Sequence, residues 1–197
     1  MARISVATDN FNRSDGALGA NWTADPNDEG ASPVVVSNTC RNNANNQDGG
    51  SFWGADSFND DQYSKVQQVQ LGNSGTTYLG LLTRATTDDK MIHQKDSGNN
   101  VAKIWWWNGG SYTAIASASH TFADNKEWIA EAEGTTFRFI VDGSTIASGS
   151  NGSAPASGAP GVSTNQTTDI IDNWEGGYLG ELPTTGINLR TLMGAGT

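Results

Sequence analysis

The stretch VAKIWWWNGG, residues 101–110, places three tryptophans in succession. On a strand alternate side chains share a face, so Ala102, Ile104 and Trp106 would point one way and Val101, Lys103, Trp105 and Trp107 the other. The first set is the better core face. Trp105 and Trp107 would then stand on the outer face beside Lys103, roughly 6 to 7 Å apart along the strand. Indoles at that spacing can stack against the C–H faces of sugar rings or anchor a protein interface, where tryptophan is enriched. A loop such as NNANNQDGG, or the C-terminal tail, folding over the pair would satisfy the same pattern. Trp105, Trp107 and Lys103 are the candidate contacts for a carbohydrate or a partner.

Paired carboxylates are the other route to chemistry. A retaining glycosidase needs an acid and a nucleophile about 5 to 5.5 Å apart, and Glu127, Glu131 and Glu133 are the nearest approach to such a set. They alternate with Trp128, Ala130 and Ala132, so the solvated face of a hairpin explains them equally well. Calcium needs several oxygens around one point. The loop DPNDEG offers Asp25, Asn27 and Glu29 before Gly30, yet Val36 stands where a bidentate Glu should close the site, and a plain Asx-rich turn is favoured. His93 and His120 lie far apart in sequence and read as structural. There is no Cys/His zinc spacing, nucleophile elbow or Gly-rich phosphate loop. No catalytic residue is assigned.

The elements that must position these residues read as β-strands. Charged residues make up only 16% of the 197-residue chain, while 24 glycines and seven tryptophans lie among Ser, Thr and Asn, a mix that favours strands and turns. Asp/Asn/Gly punctuation recurs between short runs, at LGNSGTT, DSGNN, WNGGS, VDGST and SGSNGSAPASG. No helical period is sustained, although SFNDDQ could make a single turn. In EWIAEAEGTTFRFIVDGSTIAS the predicted inward set is Trp128, Ala130, Ala132, Phe137, Phe139 and Val141, with Asp142-Gly143 supplying a tight hairpin turn. TTYLGLLTRA is apolar on both faces, Leu79 and Leu81 opposite Tyr78 and Leu82, as in a central strand covered on both sides. In QYSKVQQVQ, Tyr63 and Val69 share a parity that Val66 breaks, which suggests a bulge.

A formal net charge of −10 would repel a phosphate backbone, so nucleic acid is a poor partner. No apolar run is long enough to span a bilayer, which argues against membrane insertion. Cys40, the one cysteine, cannot form an internal disulfide and reads as an inert buried thiol. The chain enters a strand pattern at once, without a secretory signal. The Asn-x-Ser/Thr triplets at Asn21, Asn151 and Asn165 therefore carry no functional weight.

The opening D-x-F-N-R-x-D-G-x-L-G-x-x-W (Asp9 to Trp22), the DQYSKV strand, the W-x-A-x-A-x-G strand, the VDG hairpin and the closing IDNWEGG resemble concanavalin A-like lectin/glucanase jelly rolls of the laminin-G type. The likeness covers roughly residues 4 to 180, and its motifs are architectural, so it specifies fold better than activity. It implies an all-β, two-sheet antiparallel sandwich over residues 1–180, with first and last strands side by side so that DNFNR meets IDNWEG. It also implies a concave sheet that often presents a carbohydrate site. A structural calcium between the chain ends, using Asp9 and Asp172, is implied by the same analogy; no cofactor is required. The related glucanases carry Glu-x-Asp-x-(x)-Glu on one strand, a pattern whose central acid or spacing fails here.

Residues 181–197 form a tail of different composition. Its apolar residues Ile187, Leu189, Leu192 and Met193 would drape over the domain, dock on another subunit by strand addition or in a groove, or belong to a disordered terminus. Similar modules recur in bacterial surface proteins and in bacteriophage virion proteins. A fold used outside cells on a chain without an export signal leads to a non-catalytic structural protein of a phage-like virion, head decoration or tail component, made in the host cytoplasm. Its partners would be other virion proteins, copies of itself and a glycan. A carbohydrate-binding module or adhesin is the alternative, and a polysaccharide-degrading glycosidase or lyase ranks third.

Overall fold

The computed structural model describes residues 1–28, 30–72, 78–96 and 100–181. Two antiparallel sheets face each other. The nine-stranded sheet runs β14 (Ser144–Ser150), β13 (Thr136–Val141), β12 (Lys126–Glu133), β7 (Gln62–Gln70), β16 (Ile170–Gly180), β5 (Thr39–Asn42), β4 (Pro33–Val36), β2 (Gly16–Ala17), with β1 (Ala2–Asp9) also paired to β16. The seven-stranded sheet runs β11 (Tyr112–Ser119), β10 (Val101–Trp107), β9 (Lys90–Lys95), β8 (Leu79–Ala85), β15 (Ala159–Thr164), β6 (Gly49–Trp53), β3 (Trp22–Ala24). The expected all-β sandwich is the fold observed. The tail residues Ile187, Leu189, Leu192 and Met193 lie outside the described residues.

The hairpin turn at Asp142-Gly143 has both residues at positive φ, 46° and 77°, the geometry a two-residue turn requires. It sets the register that sends Trp128, Ala130, Ala132, Phe137, Phe139 and Val141 into the space between the sheets, where all six join one core with Leu79, Leu81, Met91 and Ile104. Burying a side chain of Leu or Phe size stabilises by about 1.5 to 3 kcal/mol. At the other end of this core Trp22, Trp53 and Trp174 pack together, with Trp53 stacked on Trp174 at 5.2 Å and Trp22 4.7 Å from Trp174. The two layers are also tied by a polar link, since Trp174 Nε1 donates to Ser64 Oγ (2.9 Å), which donates to the Gly161 carbonyl (2.7 Å).

β1 pairs with β16 from Ala2 opposite Gly180 to Asp9 opposite Trp174, so the first and last strands do close the sandwich side by side. In β7 the parity break is a bulge at Val69 against β16, because Ile170 pairs with Gln70 and Ile171 with Gln68. Pairing with β12 is unbroken from Gln62 to Gln68. Tyr63 therefore stays on the outer face, in a separate cluster with Ile129, Ile140 and Leu179. The SFNDDQ stretch makes no helical turn; Phe58 packs against the core instead.

Candidate functional site: a groove on the seven-stranded sheet

β9 and β10 alternate as the sequence suggests. Ala102 and Ile104 enter the core with Trp106 packed against it, while Lys103, Trp105 and Trp107 lie on the outer face. That face has a floor of two rungs. Ser163, Gly80, Gln94 and Lys103 stand side by side on four neighbouring strands. Gly161, Leu82, Ile92 and Trp105 form the next rung. Gly80 has no side chain because a Cβ there would meet Gln94 Cβ at 2.7 Å. The polar rung spans three strand spacings, about 14 Å. Above it opens a groove of about 660 Å³, in the size range of a small-ligand site.

Trp105 and Trp107 are not a pair of open indoles. Both are half-buried against Phe52, Leu82, Ala85 and Ile92. Lys103 Nζ lies 4.9 Å from the Trp105 ring centre, and the Tyr112 ring packs 4.6 Å from Trp107. Trp105, Lys103, Tyr78 and Tyr112 line the groove; Trp107 supports it from beside Tyr112. Tyr112 is the open aromatic, 51% exposed. It was missed in the sequence because it stands alone on a Ser/Thr/Ala strand, but it lies directly opposite Trp107 across the WNGGS turn. Asn108 fixes that turn by accepting from the backbone N–H groups of Gly110 (3.2 Å) and Ser111 (2.9 Å).

Loops wall the groove. The Asn-rich NNANNQDGG loop does not fold over the tryptophans; it is clamped to residues 165–167. Asn165 Nδ2 donates to Asp48 (2.8 Å), Gln166 Nε2 to Asn46 (2.8 Å), and the Thr167 N–H to Asn45 (2.9 Å). Asn165, one of the Asn-x-Thr triplets, is thus a buried wall residue. Asp28 of the DPNDEG stretch stands on the other wall, where a lysine holds the acids of the calcium-loop pattern; Glu29 of that pattern lies outside the described residues. Lys90, 4% exposed, bonds Asp25 and also Asp28 (3.0 Å), while Asp28 accepts the Gly50 N–H. Burial works against the Lys90 ammonium, but Asp28 and Asp25 outweigh it and raise its pKa. Burial pushes the Asp28 carboxyl up, with Lys90 opposing. Asn27 N–H caps Asp25 (2.9 Å), the Asx turn expected there.

Asp9 does not fit a calcium ligand. Its oxygens accept from the Phe11 N–H (2.8 Å), from Arg13 at 2.6 and 2.9 Å, and from Trp22 Nε1 (2.8 Å). These four donors use the lone pairs a cation would need, and the D-x-F-N-R…W opening is an architectural lock around the tryptophan cluster. Asp172 is held up in pKa by burial, with Asp9 adding repulsion, and one oxygen accepts the Asn173 N–H (2.7 Å). Among the described residues no three His, Cys, Asp or Glu side chains converge as a metal site.

Glu131 and Glu133 face outward on the opposite sheet, away from the groove. Glu131 is nonetheless 8% exposed, paired with Arg3 (2.8 Å) and Arg138 (3.6 Å), and Glu133 pairs with Arg138 (2.6 Å). In the groove, β9 projects Lys90, Ile92 and Gln94, so no carboxylate rises from that strand, and the lining acids Asp28, Asp48 and Asp96 come from loops. His93 faces the core, hydrogen-bonded to Thr83 (3.0 Å), its pKa pushed down to about 3 by burial. Cys40 is fully buried and its thiol is driven up by burial.

Solved structures share this architecture. The carbohydrate-binding module CBM66 from Bacillus subtilis superposes with a TM-score of 0.62 at 15% identity, covering 81% of this chain and 98% of that one. The chain has the concanavalin A-like lectin/glucanase fold. SCLam, a non-specific endo-β-1,3(4)-glucanase of family GH16, matches with a TM-score of 0.58 at 13% identity, over 88% of this chain and 90% of its own. The exoplasmic/lumenal domain of VIP36 in its Ca²⁺- and mannose-bound form matches with 0.56 at 11% identity, over 83% and 85%. No protein-family model and no curated protein matches the sequence.

Proposed function

We propose that this lectin-like jelly roll is a non-catalytic glycan-binding module that takes a short oligosaccharide in the groove on the seven-stranded sheet. The observation that carries the reading is Tyr112, a half-open aromatic at the rim of a groove whose floor sets the polar groups of Ser163, Gln94 and Lys103 beside an apolar rung. A sugar presents C–H faces and hydroxyls together; Tyr112 with the edge of Trp105 would take the first, and Gln94, Ser163 and Asn165 the second. The fold likeness to the carbohydrate-binding module CBM66 and to the mannose-bound VIP36 domain supports it. A strand without acids at the groove floor supports a binding rather than a hydrolytic role. The test is a glycan array followed by titration calorimetry on any hit, with Tyr112→Ala and Trp105→Ala, each shown to be folded by circular dichroism, expected to weaken binding about tenfold or more, near 1.4 kcal/mol.

The virion setting read from the sequence is a proposal about context. Many copies on a particle would let a shallow groove bind a polysaccharide by avidity. Co-purification of the full chain with an assembled particle would support it, and a monomer that never joins one would end it.

A further inference from the structure

Among the described residues, both cations that line the groove, Lys90 and Lys103, are paired with acids of this chain. Lys90 is enclosed by Asp25 and Asp28. Lys103 is paired with Asp96, which follows β9 and whose N–H donates to the Val101 carbonyl (2.9 Å), so the hairpin holds the acid beside the lysine. Lys103 differs from Lys90 in its position. Its side chain is 26% exposed and its ammonium lies over the Trp105 ring, beside the Trp105 edge and Tyr112 that would take a sugar. Asp48 adds a further negative charge to the wall, bonded to the neutral Asn165 amide. Around the groove the acids Asp25, Asp28, Asp48 and Asp96 outnumber the lysines Lys90 and Lys103.

Resting on the glycan-binding reading, we infer that the groove selects uncharged sugars and that Asp96 sets this selectivity by masking Lys103. A sulfate or uronate entering beside Trp105 would have to displace Asp96 from Lys103, leaving one carboxylate unpaired, and would meet Asp28 and Asp48. A neutral ring displaces no ion pair. Like-charge juxtaposition of this kind is a usual basis of discrimination. With Asp96 neutral, Lys103 becomes a free cation beside the stacking position. Lys95, the next residue along, faces the other side of β9 and interacts electrostatically with Asp96 and Asp169.

The test is an array carrying matched neutral, sulfated and uronic-acid oligosaccharides, probed with wild type, Asp96→Asn and Asp96→Asn/Lys103→Gln. Wild type is expected to bind neutral members at least about tenfold better than their acidic counterparts. Asp96→Asn keeps its backbone hydrogen bond and should gain about tenfold for acidic members. About 0.5 M NaCl should erase that gain by screening, as should the second substitution. An unchanged far-ultraviolet circular dichroism spectrum and a cooperative melt report that each variant is folded. Should Asp96→Asn be unstable, the salt dependence of wild-type binding to acidic members decides: binding that strengthens at about 0.5 M NaCl, as the repulsion is screened, supports the selectivity, and binding that weakens overturns it. Equal wild-type binding of acidic and neutral members, or no acidic gain in Asp96→Asn, overturns the selectivity while the groove reading stands. No binding by wild type to any member overturns both.

Discussion

Tyr112 lies on Trp107 with ring centres 4.6 Å apart, joining two neighbouring strands by their outer faces. The tyrosine shields an indole whose Nε1 is buried and has no hydrogen-bond partner among the described residues. Tyr112→Ala is therefore expected to make Trp107 more accessible. Acrylamide quenching should rise, with the emission moving to longer wavelength, and Trp107→Phe should remove the change. The stability cost should stay near 1 kcal/mol, as for loss of one aromatic pair on a surface.

Lys90 is the fixed cation of the DPNDEG wall. Lys90→Met leaves Asp25 and Asp28 buried together, and losing one partner of a buried pair costs about 3 to 5 kcal/mol. Urea unfolding should show this, and Asp25→Asn added to Lys90→Met should recover part of it. Since an ammonium holds the loop, chelation with EDTA is expected to leave the melting temperature of wild type unchanged.

Two buried groups oppose each other in acid. The Asp169 carboxyl is raised to about 6, chiefly by burial, and one of its oxygens accepts the Gly72 N–H (2.6 Å). The native state binds the Asp169 proton more tightly than the unfolded chain does, so this group lowers stability as pH rises from about 4 to 6. His93, lowered to about 3, does the reverse: the unfolded chain takes up its proton first, and stability falls as pH drops from about 6.5 to 3. Asp169→Asn removes one slope and keeps the other. Its stability relative to wild type should improve by on the order of 2 to 3 kcal/mol between pH 4 and 7, measured by denaturant titration at each pH.

The closure of the sandwich can be tested at one atom. A Cβ on Gly177 would strike the Ile4 carbonyl carbon at 2.9 Å and Tyr63 Cε1 at 2.8 Å, so β1 or Tyr63 must move. Gly177→Ala should cost about 1 to 3 kcal/mol, the range for overpacking. Gly152→Ala, where nothing lies within 4 Å, is the control and should change little.

The sandwich was legible because period-two patterning and turn residues act locally. The six inward residues of the Trp128–Val141 hairpin and the two covered faces of Leu79–Leu82 follow from parity and one Asp-Gly turn. The groove was only half legible, because a site is a set of neighbours across strands. Trp105 and Lys103 could be placed on a face, but the register that puts Gln94, Gly80 and Ser163 in line with Lys103 depends on pairings distant in sequence. Partner identity was hidden in the same way. Asp25 read as part of an Asx-rich turn, and nothing local showed that Lys90, 65 positions away, would stand between it and Asp28. Asp9 stood as a calcium ligand by family resemblance until Arg13 and Trp22 took its oxygens.

Calorimetric titration of wild type and Tyr112→Ala with an oligosaccharide selected on the array tests the central claim most directly. Saturable binding by wild type, weakened about tenfold or more by Tyr112→Ala at unchanged fold, is the expected result. Binding that Tyr112→Ala leaves intact, or a folded wild-type protein that binds no glycan, would contradict it.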